Sequence, residues 1–349
     1  MNIISLFSGA GGLDLGFEKA GFQTIWANEY DKEIWETFEK NFPNTQLDRR
    51  SITKIEADEI PHAIGIIGGP PCQSWSEAGA LKGIEDHRGQ LFFDFIRLLR
   101  AKKPLFFLAE NVSGMLASRH SDALENIKKL FTDSGYKLSF KLLNANDYGV
   151  AQDRKRVFFV GYREDLGIEF EFPKALDEKK VLKDIIWDIQ ESAIPAQEKN
   201  YSNHNCALAN HEYAIGGFSS MFMSRNRVRS WDEPSFTIQA GGRHAPLHPQ
   251  APKMELIEKD KRRFVPTQEH LYRRLSVREC ARIQSFPDSH KFYYKNVMAG
   301  YKMVGNAVPP NFGYYLAKKI FEDLEGLNLV NDEQLSIKNH QVHNEMLKH

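Results

Sequence analysis

The first 165 residues alternate short apolar runs with helical patterns, and no other feature of the sequence restricts the fold as strongly. The apolar runs that predict strands lie at residues 3–7, 22–28, 64–68, 105–110, 138–143 and 157–160. Helical patterns lie between them, at residues 13–20, 32–41, 91–102 and 123–131. Strands that alternate with helices form a mostly parallel sheet with helices on both faces. We therefore predict an α/β fold with a doubly wound, mostly parallel sheet.

The pattern becomes irregular after about residue 165. Short segments rich in Asn, Ser, Pro and His follow, and helical periodicity returns near residues 276–284 and 311–324. We predict that residues 1–165 and 285–325 form one domain and that residues 166–284 form a second, smaller and irregular one. The last stretch, 326–349, has few apolar residues and is predicted to be a flexible tail.

The composition limits the protein class. The chain has 349 residues, with 46 basic and 46 acidic side chains, so total charge does not indicate a polyanionic partner. Its three cysteines, Cys72, Cys206 and Cys280, lack disulfide or metal-ligand spacing, and there is no signal peptide and no long apolar run. We expect a cytoplasmic, reduced protein without a metal site and without a membrane segment.

Several polar or glycine-rich segments follow directly after predicted strands. In doubly wound sheets the ligand lies beyond the carboxyl ends of the strands, so these segments should meet in one crevice. The glycine turn at residues 7–12 lacks the third glycine of a dinucleotide fingerprint, because position 14 is Asp14. This disfavours a nicotinamide dinucleotide enzyme. Glu29 ends the second strand, where it could bind the hydroxyls of a ribose, so a nucleoside cofactor without a pyrophosphate fits best.

Cys72 stands in a stiff turn with two prolines, directly after the strand at 64–68. A free cysteine is more often a small buried apolar side chain, but its position beside a cofactor crevice makes it a candidate nucleophile. Glu110 ends the next strand, where a buried carboxyl could hold a proton, although a helix cap or a surface ion pair is an equal alternative. Arg154 and Arg156 alternate into the strand at 157–160 and should face the same side.

Six motifs in order resemble those of the DNA cytosine-5 methyltransferases. They are FSGAGG at 7–12, PPCQ at 70–73, ENV at 110–112, QDRKR at 152–156, RRLSVRECARIQSFP at 273–287 and GNAVPP at 305–310. The resemblance covers nearly the whole chain, from residue 3 to about 320. The variable segment is similar to that of the HaeIII-type methylases, whose target is GGCC.

The resemblance implies methyl transfer from S-adenosylmethionine to carbon 5 of a cytosine. Cys72 would add to carbon 6 of the base, and Glu110 would hold the exocyclic amine and ring nitrogen 3. Arg156 would hold the carbonyl oxygen, with Arg154 and Gln152 supporting that side of the pocket. Because the ring is inaccessible in a stacked duplex, the base would have to be flipped out.

The resemblance also implies the residues of the cofactor site. They are Phe7, Ser8, Gly9, Ala10, Gly11, Gly12, Glu29, Tyr30, Ser51, Ile52, Pro71, Asn306 and Val308. One position departs from the family pattern, since Ser51 stands where an aspartate usually binds the adenine amino group. A hydroxyl accepts a hydrogen bond more weakly than a carboxylate, so we expect reduced cofactor affinity unless the nearby Asp48 substitutes.

Residues 166–284 correspond to the family's target-recognition domain, and its arginine clusters favour a polyanion-binding face over a solvated surface. Base edges are assigned to Arg225, Arg227 and Arg243, and phosphates to Arg229, Arg262 and Arg263. Thr237 and the residue after it resemble a Thr-Leu pair of the family.

The resemblance implies double-stranded DNA as the substrate and a cognate restriction endonuclease as a functional partner without stable contact. It also implies a monomer that associates with the nucleoid and a prokaryotic or phage origin. A cytosine-5 RNA methyltransferase is the alternative, while the presence of Cys72, Glu110 and Arg156 disfavours a catalytically inactive DNA-binding protein.

Overall fold

The computed structural model describes residues 1–71 and 87–329 of the chain. The candidate nucleophile Cys72 and most of the predicted tail lie outside the described residues. At the end of the described chain, Leu329 is buried against the core.

A seven-stranded sheet forms the centre of the molecule. Its strands are β1 (Asn2–Leu6), β2 (Gln23–Asn28), β3 (Gln46–Asp48), β4 (Gly65–Gly68), β5 (Phe106–Val112), β6 (Tyr136–Asn144) and β7 (Lys155–Arg163). They are arranged in the order β3-β2-β1-β4-β5-β7-β6. Pairs from β3 to β5 are parallel, whereas β7 runs antiparallel to both β5 and β6. The predicted α/β fold with a mostly parallel sheet is confirmed. Strand β3 was not predicted, because a three-residue strand with one apolar residue has no recognisable periodicity.

Helices cover both faces of this sheet. The helices of the described ranges are α1 (Gly12–Lys19), α2 (Trp35–Asn41), α3 (His87–Lys102), α4 (Ser121–Thr132), α5 (Leu182–Ile186), α6 (Val277–Ile283), α7 (Val297–Asn306) and α8 (Pro310–Gly326), of which α5, α6 and α7 pack together away from the sheet. Along β5 the side chains alternate between the two faces, as a strand requires. Phe106 and Leu108 pack with α1 and α8, and Phe107 packs with α3 and α4. The two faces together form the main hydrophobic core.

Helix α8 returns the end of the described chain to the first face of the sheet. Its buried side chains Phe312, Leu316 and Ile320 join the core cluster that contains Phe17 of α1. Gly16 allows this close approach, because a Cβ at this position would lie 2.5 Å from the carbonyl oxygen of Pro310. The sheet therefore needs residues from both ends of the sequence.

Residues 166–284 contain little regular structure. Besides α5 and α6, they include the two-stranded pairs β8 (Ile194–Pro195) with β9 (Glu212–Tyr213) and β10 (Glu255–Glu258) with β11 (Lys261–Arg263). A small cluster around Phe222, Leu247 and Tyr272 gives this region an apolar centre of its own. The irregularity agrees with the sequence, but the domain boundaries stay a prediction. None of the helices in the described ranges is long and apolar enough to cross a membrane.

Candidate active site

The turn after β4 lies directly against the end of β5. The side-chain amide of Asn111 donates to the carbonyl oxygen of Pro70 at 3.1 Å. A Cβ at Gly69 would lie 3.0 Å from Oε2 of Glu110, so a larger residue would crowd the carboxylate. Two neighbouring parallel strands therefore bring the Pro70-Pro71 turn and Glu110 together at one edge of the sheet. Cys72 follows this turn in the sequence.

Glu110 forms a nearly buried ion pair with Arg156. Nε of Arg156 lies 2.8 Å from Oε1 of Glu110, and the two side chains are 14% and 13% exposed. Antiparallel pairing of β5 with β7 sets this contact, because Val112 lies opposite Arg156 and Glu110 is two residues away on the same face. Burial raises the pKa of Glu110, while the positive charges of Arg156 and Arg154 oppose this effect. The pair can hold a proton on the carboxyl and a fixed positive charge beside it.

Gln152 and Arg154 are buried just before β7 and hold backbone from distant parts of the chain. Oε1 of Gln152 accepts from the backbone N–H of Ile238 at 2.8 Å, and its amide donates to Gln284 at 2.7 Å. Arg154 donates to the carbonyl oxygens of Ile238 at 2.9 Å and of Gly305 at 2.8 Å. Because these polar atoms of both side chains already bind other parts of the protein, Gln152 and Arg154 act as positioning residues.

The glycine-rich turn meets Glu29 at the carboxyl end of β2. One carboxylate oxygen of Glu29 accepts from the N–H of Gly9 at 2.9 Å, and the other accepts from Asp31 at 2.8 Å. Phe7 and Gly9 have left-handed backbone, with φ values of 54° and 55°. A Cβ at Gly9 would have no atom within 4 Å, so the surface above this turn is open. The turn and the oriented carboxylate together form a cradle for a ligand.

The loop after α7 closes the other side of this turn. A Cβ at Gly12 would lie 2.2 Å from the carbonyl oxygen of Val308, so only glycine fits there. Asn306 is exposed, whereas Val308 is buried. The first and the last of the six motifs are thus in contact, although almost 300 residues separate them.

Comparison with known proteins assigns this arrangement to a family. The family model for C-5 cytosine-specific DNA methylases matches residues 1–322. The chain belongs to this family. It is 58% identical to the Type II methyltransferase M.FnuDI of Fusobacterium nucleatum over 328 residues, which cover 93% of this chain and 95% of that protein. It is 59% identical to M.NgoPII of Neisseria gonorrhoeae over 330 residues, with coverages of 93% and 96%.

A solved structure supports the fold independently. A protein encoded within an Escherichia coli prophage superposes with a TM-score of 0.71, at 24% identity, and covers 93% of this chain and 99% of its own. At this identity the likeness concerns the fold alone. Together with the family match, it makes the chain a DNA cytosine-5-methyltransferase with the fold of the S-adenosylmethionine-dependent methyltransferases. Its methyl donor is S-adenosylmethionine.

The residues of the cradle fit S-adenosylmethionine. The backbone N–H groups of Gly9 and Asp31 orient the Glu29 carboxylate, which keeps further lone pairs for two ribose hydroxyls. The open surface above Gly9 leaves room for a ligand beside the turn. Burial raises the pKa of Glu29, and its hydrogen bonds from the backbone counteract this effect. Glu29 and the glycine turn would therefore hold the nucleoside part of the donor in this methylase.

The residues predicted to contact the adenine ring differ strongly in their exposure. Tyr30 is 71% exposed, whereas Ile52 lies in the second core cluster and is 1% exposed, which leaves little of it for an adenine ring. The hydroxyl of Ser51 lies 2.9 Å from that of Thr53. Asp48 cannot readily replace the missing aspartate, because its carboxylate binds the backbone and guanidinium of Arg50. The contact of Ser51 with the adenine amine stays a prediction.

The arginines assigned to DNA differ in their surroundings. Among the described residues, no hydrogen bond or ion pair is formed by the side chains of Arg225 or Arg243. Arg227 donates to the carbonyl oxygens of Phe222 and Met221, so its guanidinium is already engaged. The methylase therefore presents Arg225 and Arg243 more freely than Arg227.

The arginines assigned to phosphates have partners on the protein. Arg229 pairs with Asp153 and Glu233, each at 3.2 Å. Arg262 donates to the carbonyl oxygen of Met254, and Arg263 pairs with Glu255 at 2.8 Å. Thr237 donates to the carbonyl oxygen of Asp153 at 2.5 Å. Their assignment to phosphates stays a prediction, and the structure gives each of them an alternative role in holding the methylase together.

Sequence reasoning missed other residues that shape the site. Asn111 binds the Pro70 turn to β5, and it had no predicted role although it lies in the ENV motif at 110–112. Gln284 donates to the carbonyl oxygen of Val304 at 2.7 Å and binds Gln152, so it links the end of α6 to the segment that precedes β7. Only its place in the motif at residues 273–287 could have indicated a role for Gln284, because a single buried amide side chain produces no periodic pattern in the sequence.

Proposed function

We propose that this enzyme methylates carbon 5 of one flipped-out cytosine in a short duplex DNA site through a covalent bond to Cys72. The nearly buried Glu110–Arg156 pair carries the proposal, because it supplies an acid and a fixed cation at the turn that precedes the cysteine. Carbon 5 is not nucleophilic in the aromatic ring, so addition of a nucleophile to carbon 6 is needed first. Cys72 is the nucleophile that the sequence offers at this turn.

The steps of the reaction follow from these groups. The Cys72 thiolate forms a bond to carbon 6, and Glu110 donates a hydrogen bond or proton to ring nitrogen 3 as negative charge develops there. Arg156 binds the carbonyl oxygen at position 2 and stabilises the same charge. S-adenosylmethionine, when bound, would supply the methyl group that carbon 5 receives, and the sulfonium carbon–sulfur bond that breaks would leave S-adenosylhomocysteine. Water then takes the carbon 5 proton, the bond between the Cys72 sulfur and carbon 6 breaks to restore the double bond and the thiolate, and any proton on nitrogen 3 returns to Glu110.

The test of this chemistry is Cys72→Ser, with Cys206→Ser as the matched control. Cys206 is half-buried, and burial raises the pKa of its thiol to about 12, with the Glu212 carboxylate adding to the effect. We expect Cys72→Ser to bind duplex DNA but to transfer no labelled methyl group, and Cys206→Ser to keep the activity. Methyl transfer by Cys72→Ser at the rate of the unmodified enzyme would rule out the covalent route.

We further propose that the target is GGCC and that the enzyme is the modification half of a restriction-modification system. The relatives M.FnuDI and M.NgoPII are Type II methyltransferases, and the variable segment resembles that of HaeIII-type methylases. Bisulfite sequencing of DNA from cells that express the chain reads the modified base and its context directly. Protection from a GGCC-cleaving endonuclease, but not from an unrelated one, is the expected companion result.

Substrate class and assembly need separate measurements. Duplex DNA and transfer RNA should be incubated in parallel with labelled cofactor, and we expect label in the DNA alone. Label in the RNA instead would favour the alternative function.

We propose a cytoplasmic monomer that forms no stable complex with its endonuclease. Light scattering of the purified enzyme and a pull-down with the endonuclease would test this proposal.

A further inference from the structure

A cavity of about 530 Å³ opens beside Arg243 in the predicted target-recognition region. Three cationic side chains line it, those of Lys199, Arg243 and Arg274, and none of the described residues that line it is acidic. Arg274 donates to two backbone carbonyl oxygens, whereas the side chains of Lys199 and Arg243 form no hydrogen bond or ion pair among the described residues. A cavity lined by cations without a carboxylate therefore has a net positive potential that the protein leaves uncompensated.

Arg274 is the buried member of this group. It is 4% exposed, it donates to the carbonyl oxygens of Gly216 and Gly217 at 3.1 and 2.8 Å, and it lies over the ring of Phe218 at 4.1 Å. Its Nε has no hydrogen-bond partner among the described residues. Burial lowers the pKa of Arg274; Tyr301 opposes this effect, and the neighbouring positive charge of Arg243 adds a smaller lowering. Two like charges thus face the same space at an energetic cost that a bound anion would remove.

The backbone around the cavity is fixed in an uncommon conformation. Lys199 and Asn200 have left-handed backbone, with φ values of 58° and 62°. Asn200 holds this turn to the opposite wall, because its amide both accepts from and donates to the backbone of Ile215, at 2.7 and 3.2 Å. Asparagine enters this region readily, but a lysine rarely does so unless the surrounding structure imposes it. The turn keeps Lys199 on the wall of the cavity.

The other wall is open above its backbone. Gly216 has a φ value of 106°, and a Cβ built on Gly216 or on Gly217 would meet no atom within 4 Å. Both glycines are exposed. A ligand can therefore approach the main chain here as closely as it approaches the cations.

We propose that this cavity holds one DNA phosphodiester, next to the base pair whose edge Arg243 reads. The inference rests on the proposed function, since it assumes that residues 166–284 contact the duplex. Guanidinium and ammonium groups suit phosphate oxygens, and contacts of this kind position a protein on DNA without reading its sequence. The cavity would thus set the register in which Arg243 meets a base.

The sharpest test compares Gly217→Asp with Gly217→Asn. The two new side chains have the same size and shape, and the site is open, so they differ only in charge. We expect Gly217→Asp to bind duplex DNA at least about tenfold more weakly than Gly217→Asn, because a carboxylate would stand a few ångströms from the phosphate. The loss should be equal on a GGCC duplex and on an unrelated duplex. Equal dissociation constants for the two variants would overturn the assignment.

A second measurement covers the case in which Gly217→Asp does not fold. Lys199→Gln removes one cation from the cavity, so the slope of log binding constant against log salt concentration should become shallower by about 0.9. The control is Lys318→Gln, an exposed lysine of α8 that lies 3.9 Å from Glu322, for which the slope should stay unchanged. A slope for Lys199→Gln equal to that of the control would contradict the proposal. Methyl transfer by the unmodified enzyme is measured on the same duplexes, and its absence would refute the proposed function itself.

Discussion

Asp14 is a buried carboxyl on α1, directly after the glycine-rich turn, and Asp14→Asn should stabilise the enzyme above neutral pH. The side chain is 0% exposed, and the hydroxyl of Thr24 donates to it at 3.1 Å. Burial raises the pKa of Asp14 from 3.8 to about 6, and hydrogen bonds from Ser5 and Thr24 offset only part of that effect. Above pH 6 the folded chain therefore holds a charge in a place that favours the neutral acid.

The magnitude follows from the two pKa values. Because the pKa of Asp14 is higher in the folded chain than in the unfolded one, proton binding favours folding. This contribution is complete below about pH 3.8 and is lost as the pH rises through about 6. A tenfold change in proton affinity is worth about 1.4 kcal/mol, so the ionised carboxylate costs about 3 kcal/mol at pH 8. Asparagine removes this cost but weakens the hydrogen bond from Thr24 by about 1 kcal/mol. The net gain should be about 2 kcal/mol at pH 8 and less than about 1 kcal/mol at pH 5.

The assay is denaturant unfolding of both proteins at pH 5 and pH 8, with Asp177→Asn as the control. Asp177 lies in an exposed loop, so its substitution should change the free energy of unfolding little and equally at both pH values. The pKa of Glu18, which burial and the charge of Asp14 raise to about 7, should also fall in Asp14→Asn. A difference in stability that does not grow between pH 5 and pH 8 would refute the argument that the ionised carboxylate is costly.

Three further predictions concern the site. Glu110→Gln should lower the single-turnover rate of methyl transfer by roughly 10² to 10³, because the amide cannot donate a proton to the ring; retention of the full rate would exclude an acid role. Ser51→Asp should lower the calorimetric dissociation constant for S-adenosylmethionine by roughly tenfold, with Ser51→Ala as the control, since a carboxylate is the stronger acceptor. Arg225→Gln should cost roughly 1 to 3 kcal/mol of discrimination between target and altered sites, whereas Arg262→Gln should weaken binding to all sequences alike. Indistinguishable patterns for these two arginine variants would contradict their assignment to different roles.

The sheet and the crevice could be predicted because they depend on local patterns that the sequence states directly. Apolar runs of strand length, each followed by a helical period, determine a parallel sheet, and its carboxyl edge then contains whatever follows the strands. Glu29 and Glu110 both end such runs, and the structure brings both to that edge. The missing dinucleotide fingerprint could also be read from the sequence, because Asp14 stands where the fingerprint needs its third glycine.

The partners of the arginines could not be predicted in the same way. Alternation along an extended segment indicates which side chains share a face, but not which groups that face meets. Arg229 pairs with Asp153, 76 residues away, and Arg227 is engaged by nearby backbone carbonyl oxygens that no side-chain pattern reveals. The turn at Lys199 was equally hidden, because left-handed backbone at a lysine is imposed by the contacts of Asn200 and not by local preference. Features of this kind arise from tertiary packing between segments far apart in sequence.

Arg154 connects three distant segments of the chain through one buried side chain. It stands next to β7, two residues before Arg156, and it donates to Ile238 in the recognition region and to Gly305 and Ala307 beside the cofactor loop. If one of these carbonyl oxygens moved away, a buried N–H group of Arg154 would lose its partner. That loss costs about 1 to 3 kcal/mol. The backbone at Ile238 is therefore tied to the segment that leads into the strand holding Arg156 against Glu110. Because one guanidinium group makes these connections, the backbone at Ile238, the loop after α7 and the start of β7 are held in fixed positions relative to one another.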